Sequence, residues 1–188
     1  MSQLQQTLQA IDTLHKQDPK KVDGKAQELI YAEHCSRWLE ILYPNASEVL
    51  TIAVRSQHLC RWEMPRSDFP MDRTGYLKWR TSLAKLHADK AVATMKQNGY
   101  SDQDCSRAEA IIRKQGIKRD GEVQALEDCA CMVFIETAFL PFAAKHAEEK
   151  IIRIVQKTWG KMSDKAHQAA LALDLPDAAL VLIKKALA

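Results

Sequence analysis

Residues 55–89 read RSQHLCRWEMPRSDFPMDRTGYLKWRTSLAKLHAD, and they hold five of the ten arginines of the chain and two of its four tryptophans. A histidine lies near each end of this stretch, at positions 58 and 87. Arginine, tryptophan and histidine are costly to bury together, so an ordinary core helix does not carry this mixture. Pro65 and Pro70 interrupt helix formation, because proline lacks an N–H group and disfavours the helical conformation of the residue before it. We therefore predict two helices joined by a proline-containing loop, with a functional site along them.

Apolar residues with helical spacing continue on both sides of this stretch. They predict helices over residues 3–16, 25–42, 46–62, 73–97, 101–116, 120–157, 164–173 and 177–187, and Pro141 should kink or divide the longest one. The alternating pattern of a strand is not found. The predicted fold is all-α, a single domain over residues 1–188 with seven to nine helices. It comprises an N-terminal helix and linker at 1–20, a core at 25–173 and a C-terminal helix at 174–188.

Charge and cysteine content narrow the class of protein. A net charge of +3 in 188 residues is too small to indicate a nucleic-acid-binding surface, but it leaves room for a local basic pocket. The five cysteines are an odd number without a signal sequence, which indicates free thiols in a reducing compartment. No run approaches the ~18–20 apolar residues that a membrane span needs. We expect a soluble cytoplasmic protein with no membrane partner.

Histidines and carboxylates are the candidates for chemistry. On a helix over 46–62, His58 would share one face with Arg55, Arg61 and Trp62, and His87 would share a face with Tyr76 and Arg80 of its own helix. Glu127 and Asp128 interrupt an apolar helical run. Burying adjacent carboxylates is expensive unless they meet cations, a metal or hydrogen-bond donors. At least one of them is therefore expected to be buried and partnered.

A divalent metal is one way to combine these groups. Imidazole nitrogens and carboxylate oxygens bind transition ions, so His58, His87 and Asp128 are predicted ligands of Mn, Fe, Co, Ni or Zn. Such an ion generates hydroxide near neutral pH. Glu127 would serve as a general base or a fourth ligand, Lys157 is a second catalytic candidate, and His34 is a further ligand candidate.

The arginines indicate an anionic substrate, because the guanidinium fork fits phosphate or carboxylate. An opposing interpretation is that Arg66 and Arg73 simply pair with acidic residues of the same loop, Glu63, Asp68 and Asp72. The favoured function is a metal-dependent hydrolase of a phosphorylated or nucleotide-like small molecule. The alternatives are a non-catalytic module that binds an anion or RNA, and an iron-dependent oxygenase with the same ligands. The predicted substrate-binding residues are Arg61, Trp62, Arg66, Arg73, Tyr76, Trp79, Arg80 and Lys161.

Four blocks carry a resemblance: QHLCRWEMPRSDFPMDRTGYLKWR, LHAD, LEDCACMVFIE and KTWGKMS. Together they resemble the DUF4202 domain family over about residues 18–173. The resemblance implies that the predicted site residues belong to the pattern of the family, and it implies no particular activity. The order His34, His58, Asp128 also loosely resembles HD-domain phosphohydrolases, which are all-α metal enzymes with an adjacent His-Asp pair. Here Leu59 follows His58, so His87 would have to replace the missing ligand.

Overall fold

Short polar side chains begin most of the helices. In six cases a serine or aspartate accepts a hydrogen bond from a backbone N–H of the first turn, which satisfies a donor that the helix itself leaves unpaired. The computed structural model describes residues 1–187. In chain order their α-helices are α1 Gln3–His15, α2 Gln27–Leu42, α3 Glu48–Arg55, α4 Arg73–Gln97, α5 Asp102–Ile112, α6 Gly121–Val133, α7 Phe139–Ala143, α8 Glu148–Trp159, α9 Asp164–Leu171 and α10 Asp177–Leu187. The six capping residues are Ser2, Ser47, Asp72, Ser101, Asp120 and Ser163.

The all-α prediction is confirmed, with one small addition. Two short antiparallel strands, β1 Lys21–Val22 and β2 Lys25–Ala26, form a hairpin that the sequence analysis missed. Asp23 and Gly24 connect the strands and both have positive φ. Asp-Gly is the dipeptide that two-residue hairpin turns of this kind prefer, so the signal was present in the sequence.

The described residues form ten α-helices rather than seven to nine, because the predicted helix over 120–157 is divided. A π-helical turn, Phe134–Ala138, separates α6 from α7, and a non-helical segment separates α7 from α8. Pro141 lies in α7 and cannot donate the hydrogen bond to the carbonyl four residues earlier, which is consistent with irregular helix geometry just upstream.

The third predicted helix is too long, and this error matters for the site. Helix α3 ends at Arg55, and both His58 and Cys60 have positive φ, at 60° and 56°. The predicted helical face of Arg55, His58, Arg61 and Trp62 therefore does not exist. Arg55 instead donates to both carboxylate oxygens of Asp12 in α1, at 2.6 and 2.8 Å.

Buried apolar side chains from most of the helices form one core cluster, from Ile11 in α1 to Ala186 in α10. Helix α2 packs against α3 and α6, and α5 packs against α3 and α4. All five cysteines are buried free thiols, as predicted. Over residues 1–187, no helix has both the length and the apolar content that crossing a bilayer requires.

Candidate functional site

The turn after α3 positions both predicted histidines of the site. Its residue His58 adopts positive φ, while the next residue, Leu59, is fully buried. The carbonyl oxygen of Leu59 lies 2.7 Å from Nδ1 of His87 in α4. The two imidazole rings are 6.1 Å apart, centroid to centroid. Left-handed backbone at non-glycine residues costs about 1–3 kcal/mol and persists where the surrounding structure holds it, which often happens at functional sites.

His58 is held from both ends of its ring. Nδ1 lies 2.9 Å from Oε2 of Glu28 in α2, and Nε2 lies 3.0 Å from Nη1 of Arg61. The ring of Tyr31 stacks on the imidazole at 4.0 Å with an interplanar angle of 8°. Because a guanidinium can only donate, Nε2 must accept, and the imidazole proton must therefore be on Nδ1, where it is donated to Glu28. The result is a carboxylate–imidazole pair with a defined tautomer.

Burial sets the protonation of this pair. It lowers the pKa of His58 well below its ordinary value, and the nearby cations of Arg61 and Lys114 lower it further. Burial also raises the pKa of Glu28, although the positive charge of Arg61 opposes this shift. The pKa of His87 falls to about 3, first through burial and then through the neighbouring His58. Both imidazoles are therefore neutral at pH 7, while 25% of the His58 side chain is exposed to solvent.

Two arginines lie against the ring of Trp79, which is buried and donates from Nε1 to the carbonyl of Met64. The guanidinium of Arg61 lies 4.9 Å from the ring centroid and that of Arg66 lies 5.9 Å away. Arg66 also donates to three backbone carbonyl oxygens, at Phe69, Pro70 and Asp72, so it stabilises the loop before α4. Trp62 is half-buried and packs against the core.

The arginines of residues 61–80 lack carboxylate partners. In the described part of the chain, arginine–carboxylate ion pairs are made by Arg37, Arg55, Arg107 and Arg113. The interpretation that the loop acids neutralise Arg66 and Arg73 is wrong. Those acids have other partners: the side chain of Glu63 pairs with Lys90, that of Asp68 accepts from Ser67, and that of Asp72 caps α4. In the described residues no carboxylate makes a direct ion pair with Arg61, Arg66, Arg73 or Arg80, although the Glu28 carboxylate attracts Arg61 through space.

Helix α4 separates residues that were predicted to share a face. Tyr76 and Arg80 are exposed, as is Arg73 at the start of the helix, whereas His87 is buried. The start of α4 also lies very close to the preceding loop. A Cβ atom on Gly75 would be 2.0 Å from the carbonyl oxygen of Pro70, so only glycine allows the two backbone segments to approach this closely.

Glu127 is 4% exposed and pairs with two lysines. Lys114, just after α5, bonds to Oε2, and Nζ of Lys161 lies 3.4 Å from Oε1. Burial alone would raise the pKa of Glu127, but the two lysines outweigh it and lower the pKa. A carboxylate held ionised in this way is a weak base, which favours a charge-balancing role over the predicted general-base role. Lys157 is exposed on α8.

Asp128 is completely buried and accepts four hydrogen bonds. Tyr43 Oη donates at 2.6 Å and Gln124 Nε2 at 2.9 Å, while the backbone N and Oγ of Ser163 donate at 2.9 and 2.5 Å. This single carboxylate thus connects the end of α2, helix α6 and the start of α9. The expectation that at least one of the paired acids is buried and partnered is confirmed for both.

The predicted metal ligands are not brought together. Among residues 1–187, no three His, Cys, Asp or Glu side chains meet in a metal-binding arrangement. His58 and His87 are neighbours, but the carboxylate beside His58 belongs to Glu28, and the oxygens of Asp128 are occupied by protein donors. In the observed arrangement these residues do not fit a metal, and the metal stays a prediction from the sequence.

His34 lies in a different hydrogen-bond network. Its Nδ1 atom is buried without a hydrogen-bond partner, 3.8 Å from Oε2 of Glu136 in the π-helical turn. The same carboxylate oxygen accepts from Arg37 and from the indole of Trp38. Because His34 and Asp128 have separate partners, the likeness to HD-domain phosphohydrolases is not supported.

Sequence reasoning missed three residues of the site: Glu28, Tyr31 and Lys114. Glu28 is in the first turn of α2, where an acid is commonly explained by the helix dipole. Tyr31 lies one turn later, and Lys114 follows α5 with φ of 56°. None of the three lies within 20 residues of His58 in the sequence, so no local motif could have linked them to it.

Comparison with known proteins gives a family and no activity. The family described as "Domain of unknown function (DUF4202)" matches residues 5–183. No curated protein and no solved structure matches the chain. Because the match covers nearly the whole chain, this protein belongs to the DUF4202 family.

Proposed function

We propose that this protein is a hydrolase of a phosphorylated or nucleotide-like small molecule, with the phosphoryl group bound by Arg61 and Arg80 and with His58 as general base. The observation that carries this proposal is the environment of Arg61. Its half-buried guanidinium lies on Trp79 and donates to a neutral imidazole, with no carboxylate paired to it among residues 1–187. Burial penalises this charge and outweighs the attraction of the Glu28 carboxylate on the far side of His58, so the position favours an anion in direct contact.

Arg61 supplies the geometry for that anion. A guanidinium has five donors, and the bond to His58 uses one of them. The remaining edge can form the paired hydrogen bonds that phosphate oxygens accept. Burial lowers the pKa of Arg61, the Glu28 carboxylate opposes this shift, and repulsion from Arg80 lowers the pKa further. An anion placed between the two guanidinium groups would relieve this repulsion.

His58 supplies the base. When a phosphate draws Arg61 away from Nε2, the lone pair of that nitrogen becomes free to accept a proton from water. The negative phosphate also offsets the cations that lower the pKa of His58 in the free protein, which makes the imidazole a stronger base. The water oxygen then bonds to phosphorus as the bond to the leaving oxygen breaks, and the imidazolium returns the proton to that leaving oxygen. Glu28 stabilises the imidazolium through Nδ1, as carboxylates do in other carboxylate–imidazole pairs.

The test measures phosphate release from a panel of phosphomonoesters and nucleotides. His58→Gln should lower kcat by about 10²–10⁴-fold, the range for loss of a general base. Arg61→Met should raise KM and abolish the thermal stabilisation that inorganic phosphate gives the wild-type protein. Lys78→Ala, which removes an exposed lysine on α4, is the matched control. It should change none of kcat, KM and the thermal stabilisation by phosphate. Absence of both turnover and phosphate stabilisation in the wild type refutes the proposal.

Whether this hydrolase depends on a metal can be tested separately from its activity. The metal-dependent form of the function is carried over from the sequence, because the described residues show no group of three metal ligands around the neighbouring rings of His58 and His87. Elemental analysis for Mn, Fe, Co, Ni and Zn tests it on the wild type and on His58→Ala and His87→Ala. Metal that is present in the wild type and lost from both variants supports a metal centre. If the protein binds phosphate but hydrolyses none of the substrates with any of these metal ions added, the result would instead support a non-catalytic anion-binding module.

A further inference from the structure

One face of α4 combines apolar surface with positive charge. Arg73, Tyr76, Leu77 and Arg80 are spaced by three and four residues, so they lie on the same side of the helix. All four are exposed, Tyr76 by 45% and Leu77 by 55%. Large apolar side chains are seldom left exposed to water beside arginines that make no ion pair. This combination indicates a ligand that has both a flat apolar part and negative charge.

This face adjoins the anion site. The ring of Tyr76 lies 5.9 Å from that of Trp79, with an interplanar angle of 48°. Arg61 is a neighbour of the same indole, with its guanidinium 4.9 Å from the ring centroid. Tyr76 therefore lies next to the same tryptophan as the group that binds the phosphoryl oxygens under the proposed function. A ligand held by Arg61 and Arg80 can extend over Tyr76 and Leu77.

The charges on this face limit the kind of ligand. Arg80 is seven positions after Arg73, which corresponds to about 10 Å along the helix, and the apolar pair lies between the two cations. Neither guanidinium is paired with a carboxylate in the described chain, as set out above. A sugar phosphate has no flat apolar face to cover Tyr76 and Leu77. A nucleobase has such a face, and its attached phosphate provides the negative charge.

We infer that the substrate class is a nucleoside phosphate, with the base stacked on Tyr76 beside Leu77 and the phosphate between Arg61 and Arg80. This inference rests on the proposed function and narrows it. Stacking of a base on one aromatic side chain contributes about tenfold or more in affinity. The same contact explains why an aromatic residue is exposed at the rim of a cationic site.

Isothermal titration calorimetry with adenosine 5′-monophosphate, ribose 5-phosphate and inorganic phosphate tests this inference. Wild-type protein should bind adenosine 5′-monophosphate about tenfold more tightly than ribose 5-phosphate. Tyr76→Ala should remove that difference and leave the affinity for inorganic phosphate unchanged. Tyr76 is exposed, so the substitution should not disturb folding, and Tyr76→Phe should retain the preference. Lys78→Ala lies on the other side of α4 and is the matched control.

The outcomes separate the two proposals. Equal affinities for the nucleotide and the sugar phosphate in the wild type overturn the nucleoside assignment, as does a preference that survives in Tyr76→Ala. In both cases phosphate binding at Arg61 would still support the proposed function. Loss of inorganic phosphate binding from Arg61→Met confirms the shared site. No binding of any of the three probes to the wild type overturns the proposed function and this inference with it.

Discussion

Acidification should destabilise this protein through His87. Burial lowers the folded-state pKa of His87 to about 3, whereas an unfolded histidine has a pKa of about 6.5. Its contribution to stability is therefore fully present above pH 6.5 and is lost as the pH falls towards 3, because the unfolded state then binds a proton that the folded state excludes. At pH 5, about 1.5 pH units below the unfolded value, the loss is about 2 kcal/mol, at 1.36 kcal/mol per unit.

Urea unfolding at pH 7 and pH 5 measures this effect when the wild type is compared with His87→Asn. Asparagine keeps a donor for the carbonyl of Leu59 but cannot take up the proton. His15 and His58 are present in both proteins, so the comparison isolates the titration at position 87 together with its coupling to His58. The wild type should lose about 2 kcal/mol more than the variant between the two pH values. Equal losses in the two proteins would refute the conclusion that His87 is neutral when folded.

Two further predictions concern positions that stabilise the fold. Gly75→Ala should destabilise the protein by about 1–3 kcal/mol in urea unfolding, because its Cβ would overlap the carbonyl oxygen of the preceding loop. Gly121→Ala has open space around its Cβ and should be neutral or stabilising by up to about 1 kcal/mol, so similar effects of the two changes would contradict the packing described. Asp128→Ala should cost about 3 kcal/mol or more, because four buried donors lose their acceptor. Asp164→Ala, at a fully exposed position in the first turn of α9, should cost less than about 1 kcal/mol, and a comparable loss would contradict the role given to Asp128.

The helices were largely predictable because apolar periodicity and capping residues act locally. The 25-residue helix α4 begins after its N-cap Asp72 and ends before Asn98, at the predicted bounds of 73 and 97. Pro141 predicted that the helix over 120–157 would be kinked or divided. It did not predict that the first break would lie at the π-helical turn Phe134–Ala138. The end of α3 at Arg55 was not predictable, since no proline or glycine marks it and the turn at His58 is held by tertiary contacts.

The grouping of the candidate residues was predictable in part. His58, Arg61 and Trp79 lie together, as the concentration of arginine and tryptophan indicated. Asp128 was assigned to the same place because its burial required partners, and the structure provides those partners as hydroxyl, amide and backbone N–H donors instead. The true carboxylate partner of His58 is Glu28, thirty residues away in the chain, and such a pairing depends on helix packing that sequence spacing does not encode.

The turn at residues 58–59 has a mechanical consequence. One imidazole is the side chain of His58, and the other is hydrogen-bonded to the backbone oxygen of the very next residue, so a single peptide segment determines the spacing of the two rings. If α4 shifts slightly relative to α3, the hydrogen bond between His87 and the carbonyl of Leu59 would move this segment with it. The two rings would then keep their relative orientation during small movements of the helices.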